Sequence, residues 1–265
     1  MPERRPVFLS PHYDDAALSC GGTLAEMADD GEKPLILTIF GGEPDGPLNH
    51  FAEEMHAWWG LEPADVISHR RQEEDCAARI LGVESRWLDL PDAIYRGERY
   101  LSDDHLFGAV HPQEATLYRG IRDAIFAFLS EHKIEASVFY CPLGIGNHVD
   151  HQHVLAMARS LTYRGYEVRA WEDYPYAGKP DVDVAEVARV RSQAEPDVRP
   201  LSEDHLDRRI RAIECYASQH SVIFRELGDP AQATREWANQ VGAGTPAERF
   251  WPIHGTGHSA FLDET

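Results

Sequence analysis

Cysteine is scarce in this sequence of 265 residues, which holds only four and no Cys-x-x-Cys pair. Such wide spacing argues against both a disulfide framework and a zinc site built from thiolates. We therefore expect all four to be small buried apolar residues: Cys20, Cys76, Cys141 and Cys215.

Long apolar segments are also missing, and no run is long enough to span a bilayer. Residues 1–6 enter the first apolar run without the hydrophobic region of a signal peptide. With a hydrophobic content of 43%, the composition indicates a globular chain that can form one domain with a sizeable core. We expect a cytoplasmic protein with no membrane span.

Positively charged residues are also few: the sequence has 25 Lys and Arg residues and 45 Asp and Glu residues, which give a net charge of -20. Nucleic acid and anionic membrane would be repelled, so neither is expected as a partner. A neutral or cationic small molecule fits this charge, although an acidic surface also serves solubility alone. No repeat of fixed period is present, which excludes a solenoid.

The first informative stretch is a strand-like run, Val7–Leu9, that stops at His12, Asp14 and Asp15 ahead of a helical pattern over 16–27. In an open parallel sheet this strand-to-helix turn lies at the edge where ligands bind. Neighbouring turn residues cannot all face one ion, so the histidine and one aspartate can bind a metal. The second aspartate is then free to act as a general base. The alternative is that both aspartates only cap the helix.

A second stretch repeats this pattern, with an apolar run over 136–140 followed by His148 and His151. Catalytic zinc sites use three protein ligands and keep a fourth position open. His12, Asp15 and His151 would supply those three ligands, which leaves His148 for chemistry.

The two stretches resemble the Pro-His-x-Asp-Asp and His-x-Asp-His motifs of the LmbE-like, or PIG-L-type, zinc-dependent N-deacetylases. They read Pro11-His12-Tyr13-Asp14-Asp15 and His148-Val149-Asp150-His151. The resemblance extends to residues 71–74, 88–92 and 216–219 and covers most of the chain.

The resemblance implies that His12, Asp15 and His151 bind one zinc ion per chain, with other divalent transition metals left open. Asp14 would be the general base. His148 would be the acid or oxyanion partner, oriented by Asp150, which could raise its pKa and keep it cationic near neutral pH.

Some relatives carry a tyrosine two residues before this catalytic histidine, where this chain has Gly146. Oxyanion stabilisation is therefore expected to rest on His148 and the metal.

Two substrate contacts also follow from the resemblance. Arg71, rather than Arg70, matches a sugar-contacting arginine, and Asp92 resembles an aspartate that binds sugar hydroxyls. Alternatively, Arg71 and Glu74 form only a solvated i,i+3 ion pair.

The predicted fold class is α/β, a single Rossmann-like three-layer domain over 1–265 with a mostly parallel sheet and the metal site at the carboxyl ends of the strands. We expect a surface insertion with short helices over 93–114, a flexible connection over 178–200, and a helical extension over 201–265.

A Gly/Pro-rich segment follows the second strand, and the loop that runs from it to about residue 60 is a candidate substrate lid. Its three aromatic residues could stack on a sugar, but we expect at least one to pack in the core; they are Phe51, Trp58 and Trp59. Near the carboxyl terminus, His254 and His258 lie between glycines and are read as tail residues.

The predicted function is zinc-dependent hydrolysis of an N-acetylated amino sugar, a GlcNAc-type conjugate, with release of acetate. Alternatives are a non-sugar amidohydrolase, a metal-dependent phosphohydrolase and a non-catalytic sugar-binding module. A dinucleotide-binding protein would need glycines where this turn carries two carboxylates, which repel phosphate. Whether the chain forms a homo-oligomer, and which aglycone it takes, stay open.

Overall fold

The computed structural model describes residues 2–255, which form a seven-stranded sheet of order β3-β2-β1-β4-β5-β7-β6. The strands are β1 Glu3–Ser10, β2 Leu35–Thr38, β3 Glu84–Trp87, β4 Ile134–Pro142, β5 Val168–Trp171, β6 Asp197–Pro200 and β7 Ala247–Pro252. The pairs among β1 to β5 are parallel, and β7 runs antiparallel to both β5 and β6. The predicted fold class is confirmed.

Helices cover both faces of this sheet and connect its strands. They are α1 Asp15–Asp29, α2 His50–Trp59, α3 Val66–Leu81, α4 Asp103–Leu106, α5 Leu117–Glu131, α6 Val149–Thr162, α7 Val184–Arg191, α8 Glu203–Glu214, α9 Ala217–Ile223 and α10 Pro230–Val241. Short 3-10 turns lie at Ala93–Tyr95, Pro112–Glu114 and Tyr176–Gly178.

Alternation along β1 divides the core between the two faces, because successive strand residues point in opposite directions. Val7 and Leu9 pack in a cluster with Ile121 of α5 and Met157 of α6. On the other face, Phe8 joins residues of α1, α3 and α8 and stacks on Tyr140 of β4, with ring centroids 4.3 Å apart. The two central strands are thus buried on both faces.

A third apolar cluster, here called the roof, is distinct from the two that cover the sheet faces. It also includes Val149, the first residue of the helix after β4, so it lies at the carboxyl edge of the sheet. Its other members come largely from α2 and the 93–114 segment: Phe51, Met55, Trp59, Ile94, Tyr100 and Leu106. The predicted insertion therefore has its short helices, but it contributes to a core.

The prediction of a flexible connection over 178–200 is wrong, because α7 and the edge strand β6 lie within it. Both are short, and β6 alternates charged residues with Val198 and Pro200, so it lacks the apolar run of a buried strand. The predicted helical extension likewise includes β7 besides α8, α9 and α10.

The cysteine prediction holds for two residues and fails for two. Cys20 and Cys141 are buried and free, whereas Cys76 of α3 and Cys215, next to the end of α8, form a disulfide. Their 139-residue separation gave no signal in the sequence. The pair becomes visible only once α3 and α8 pack against each other on the same face of the sheet.

Within residues 2–255, no helix has both the length and the apolar character needed to cross a bilayer. His254 is exposed, and His258 lies outside the described residues.

Candidate metal centre and active site

A cavity of about 320 Å³ opens at the carboxyl ends of the parallel strands. Six of the predicted site residues line it: His12, Asp14, Asp15, Asp92, His148 and His151. Asp150 is fully buried and bonded to His12, so it acts behind the cavity wall. Of the predicted residues, Arg71 alone lies away from the site.

The three predicted metal ligands converge on one point. Asp15 Oδ2 lies 3.3 Å from His12 Nδ1 and 3.3 Å from His151 Nε2. Tetrahedral zinc with bonds of about 2.0 to 2.1 Å places neighbouring ligand atoms about 3.3 Å apart. Both spacings from Asp15 match those of such a site, and two imidazoles with one carboxylate are ligands that suit a divalent transition metal.

The other nitrogen of each imidazole is held by a buried carboxylate. His12 Nε2 lies 3.1 Å from Asp150 Oδ2, and His151 Nδ1 lies 2.7 Å from Asp173 Oδ1. Because these nitrogens donate their protons to the carboxylates, His12 Nδ1 and His151 Nε2 present lone pairs toward Asp15. The role of Asp173 was not predicted, although it follows β5 as His12 follows β1.

The electrostatics of the centre favour a cation. Burial alone would lower the pKa of His151, but Asp15 and Asp173 outweigh it and raise that pKa to about 10. Burial opposes a raised pKa at His12 as well, yet Asp92, Asp15 and Asp150 lift it well above its usual range. Both imidazoles thus lie in a strongly negative environment.

His148 lies close to His12 and His151, and the three bring ring nitrogens within 4.8 Å of one another. Its Nδ1 accepts the backbone N–H of Asp150 at 3.1 Å. A neutral ring with Nδ1 used as an acceptor carries its proton on Nε2, so that atom is a donor and not a metal ligand.

The structure corrects the predicted pairing between Asp150 and His148. The Asp150 carboxylate contacts His12, and only the Asp150 backbone contacts His148. Burial, followed by the nearby His12, lowers the pKa of His148 well below its usual range, so it is not kept cationic near neutral pH. The two residues are adjacent in the second motif, but the start of α6 turns their side chains to different neighbours.

Asp14 remains free of both the metal ligands and the helix cap. Its side chain makes no capping hydrogen bond, which removes the helix-cap interpretation for this residue. Its Oδ2 lies 3.3 Å from Arg70 Nη2, and burial raises its pKa to about 7 despite that arginine. A carboxylate with such a pKa beside a metal site has the properties of a general base.

Arg70, and not Arg71, lines the cavity. Arg70 is buried, and its guanidinium packs over the Trp59 ring at 5.3 Å. Arg71 points away from the site, where it donates to Tyr13 Oη at 3.0 Å and stacks on Trp87 at 4.7 Å. The sequence contained a signal for Arg70, because residues four apart lie on the same face of a helix and position 70 is four residues after the buried Val66.

The 93–114 insertion supplies an unpredicted charged pair below the metal centre. Arg96 Nη2 lies 2.7 Å from Asp150 Oδ1, and Arg96 makes two hydrogen bonds to the Glu114 carboxylate at 2.9 and 3.1 Å. Burial alone would raise the pKa of Asp150, but Arg96 and the bond to His12 hold it below its usual range. Asp150 is therefore kept ionised and aimed at His12.

Two further cavity residues bear on the substrate. Asp92 Oδ2 lies 3.4 Å from His12 Nε2 at the cavity wall. Tyr176, another residue that was not predicted, packs its ring against Gly146, where an added Cβ would lie 2.7 Å from Tyr176 Cγ. The glycine in the second motif thus makes room for an aromatic residue from the segment after β5.

The remaining motif segments contact each other across the fold. Ser218 donates to Glu73 through its backbone N–H at 2.8 Å and through its hydroxyl at 2.7 Å. Tyr216 donates to Glu74 at 2.7 Å. These bonds fasten α9 to α3, and both helices contribute residues to the cavity wall.

The chain is similar to known N-deacetylases. A family model described as PIG-L, GlcNAc-PI de-N-acetylase, matches residues 7–162. A 2'-N-acetylparomamine deacetylase of Niallia circulans is 30% identical over 190 residues, which are 66% of this chain and 68% of that protein. The enzyme of the same name from Streptomyces fradiae is 29% identical over 97% of this chain and 85% of its own length.

Solved structures show the same likeness over nearly the whole chain. The zinc-inhibited form of teicoplanin deacetylase Orf2 superposes with a TM-score of 0.81 at 28% identity, covering 96% of this chain and all of that one. The A40926 pseudoaglycone deacetylase Dbv21 gives a TM-score of 0.74 at 29% identity, covering 97% of this chain and all of that one.

Proposed function

The chain belongs to the PIG-L family, and from this premise we propose that it is a metal-dependent hydrolase that removes the acetyl group from an N-acetylated amino sugar. The products are acetate and the free amine. The observation that carries the proposal is the position of Asp15, midway between two oriented imidazoles and next to an aspartate that binds neither.

His12, Asp15 and His151 would hold one metal ion, for which Zn²⁺ is the first choice because imidazole and carboxylate suit it. When bound, the ion supplies Lewis-acid activation of water and of the amide carbonyl. Asp150 and Asp173 act before a metal binds, because they fix which nitrogen of each histidine is free to bind it.

Asp14 is the general base in this proposal. It comes from the same turn as the ligand Asp15, so its carboxylate lines the same cavity but does not bind the metal. It takes a proton from the attacking water as the new carbon–oxygen bond forms, and Arg70 at 3.3 Å stabilises its ionised form.

His148 serves as a hydrogen-bond donor through Nε2–H. The backbone N–H of Asp150 holds its Nδ1, so the donor direction is fixed before substrate binds. Such a preorganised donor stabilises the negative charge that develops on the carbonyl oxygen. As the carbon–nitrogen bond breaks, the departing amine takes up the proton held by Asp14.

The polar wall of the cavity suits a sugar. Arg70 contributes a guanidinium and Asp92 a carboxylate to the cavity lining, so the wall offers both donors and acceptors for hydroxyl groups. In this proposal Arg70 replaces Arg71 as the sugar-contacting arginine, and Asp92 keeps the role implied by the motif.

A substrate screen tests the proposal. Metal-loaded protein should release acetate and primary amine in equal amounts from glycosides of N-acetylglucosamine or a related N-acetyl amino sugar. Simple phosphate esters, included as controls, should not react. Hydrolysis of the phosphate esters alone would replace the proposal with a phosphohydrolase.

A further inference from the structure

The cavity has two chemically different halves. The inner half carries the charged and imidazole side chains described above. The outer half is walled by the roof and by α9, which contribute six apolar side chains: Met55, Trp58, Leu106, Phe107, Val222 and Ile223. Four polar or charged side chains also line the cavity: Asp103, Lys179, Gln219 and Arg225. We infer that the apolar side chains of this outer half bind a ring-containing aglycone attached to the amino sugar, an inference that rests on the proposed function.

Trp58 is the clearest feature of this wall. The helix α2 buries Phe51, Met55 and Trp59 in the roof, whereas Trp58 is 51% exposed and faces the cavity. A large exposed aromatic residue at the rim of an active site offers a flat apolar surface on which another ring can stack.

The helix α9 packs against α2 and extends this wall. Val222 and Ile223 are only partly buried, and Val222 packs against the roof, so the apolar side chains of α2 and α9, here called the lips, form one continuous rim. Phe107, whose ring makes an edge contact with His148 at 5.4 Å, closes the gap between the lips and the catalytic centre. The apolar surface is therefore continuous with the active site.

This distribution decides which part of the substrate lies where. Sugar hydroxyls need hydrogen-bond partners, and burying them unpaired costs roughly 1 to 3 kcal/mol each. The inner half offers such partners, and further polar partners line the cavity at Asp103, Lys179, Gln219 and Arg225, whereas the apolar side chains of the lips offer only the indole N–H of Trp58. The amino sugar therefore belongs to the inner half, and a ring of the aglycone packs on the lips.

Binding of the two product-like glycosides tests the inference without requiring turnover. Calorimetry compares methyl glucosaminide with 4-nitrophenyl glucosaminide on the metal-loaded protein. The aryl glycoside should bind roughly tenfold more tightly, about the value of one stacked and buried ring. Equal affinities for the two glycosides would overturn the inference.

Variants identify the surface responsible. Trp58→Ala and Val222→Asn should each reduce the preference for the aryl glycoside while leaving the affinity for the methyl glycoside unchanged. Val190→Ala, which removes an exposed apolar side chain of α7 that does not line the cavity, should keep the full preference. A preference retained in both lip variants would contradict the assignment.

A parallel assay separates an aglycone site from a site for a long acyl chain. The methyl glycosides of N-acetylglucosamine and N-octanoylglucosamine are compared as substrates. Faster hydrolysis of the octanoyl amide that depends on Trp58 would assign the lips to the acyl chain and overturn the inference. If no amide is hydrolysed, the proposed function fails, while the binding comparison still decides what the lips recognise.

Discussion

The carboxylate of Asp150 lies against His12, with Oδ2 3.1 Å from Nε2, although the sequence places Asp150 next to His148 in the same motif. Arg96 contacts the other carboxylate oxygen at 2.7 Å, and Glu114 holds Arg96 in turn. One metal ligand is thus oriented by a chain of buried charges that ends in the 93–114 insertion.

Metal content should depend on both the ligands and the groups that orient them. His151→Ala should lose the metal. Asp173→Asn should weaken binding roughly 10- to 100-fold, because the His151 ring loses the partner that fixes its tautomer. Competition with a chelator measures both effects. Asp183→Ala, at the exposed N-cap of α7, is the control and should bind metal normally; stoichiometric metal in His151→Ala would disprove the ligand set.

The variant Asp14→Asn should distinguish the role of a general base from that of a metal ligand. The amide keeps the shape of the side chain and leaves Asp15 in place, so metal content should be unchanged. Turnover should fall by roughly two or more orders of magnitude, the usual contribution of a general base. Steady-state kinetics with metal analysis of the same sample measure both. Wild-type turnover in this variant would remove Asp14 from the mechanism.

His148→Ala should also keep the metal and lose turnover, here by roughly 10²- to 10³-fold, as expected for loss of a preorganised donor. Because burial lowers the pKa of His148, it is neutral near pH 7 and does not titrate on the alkaline side. The residual activity should therefore show the same alkaline limb as the wild type. A lost limb would instead support a cationic His148.

Removal of the Arg96 side chain should destabilise the fold as well as the site. Arg96→Met leaves the buried carboxylate of Asp150 without its arginine and Glu114 with the longer contact to Arg99 at 3.6 Å; breaking a buried pair in this way typically costs roughly 3 to 5 kcal/mol. Urea unfolding measures the free energy. Arg189→Met breaks an exposed pair with Glu186 and should change it by less than about 1 kcal/mol. Equal effects in the two variants would show that the buried pair has no special role.

Glu74 should make stability depend on pH. Burial raises its pKa to about 8 from an ordinary 4.5, although Tyr216 donates to it. Between these values the folded protein binds more protons at Glu74 than the unfolded chain does, so this group's contribution to the free energy of unfolding falls as the pH rises. Glu74→Gln should gain stability relative to wild type from pH 5 to pH 8.5 in urea unfolding. A constant difference across that range would contradict the raised pKa.

The sequence predicted the polar site residues that follow the strands. Each of these stretches combines a short apolar run with a change to polar residues, as before His12 and His151. It could not reveal contacts between distant segments. The Cys76–Cys215 bond, the Arg96–Asp150 ion pair and the orienting role of Asp173 depend on packing that brings separate elements together. Arg70 is different, because its four-residue spacing from Val66 in the sequence already placed both residues on one face of the helix.

The central claim is that one metal centre and Asp14 together hydrolyse an N-acetyl amino sugar. The most direct measurement is acetate release from methyl N-acetylglucosaminide and its 4-nitrophenyl analogue by wild type and Asp14→Asn, each shown to hold about one metal ion per chain. The account predicts acetate and free amine in equal amounts from wild type, loss of both on chelation, recovery when metal is restored, and nearly none from Asp14→Asn. Equal acetate release by the two metal-loaded proteins, or release that survives chelation, would contradict it.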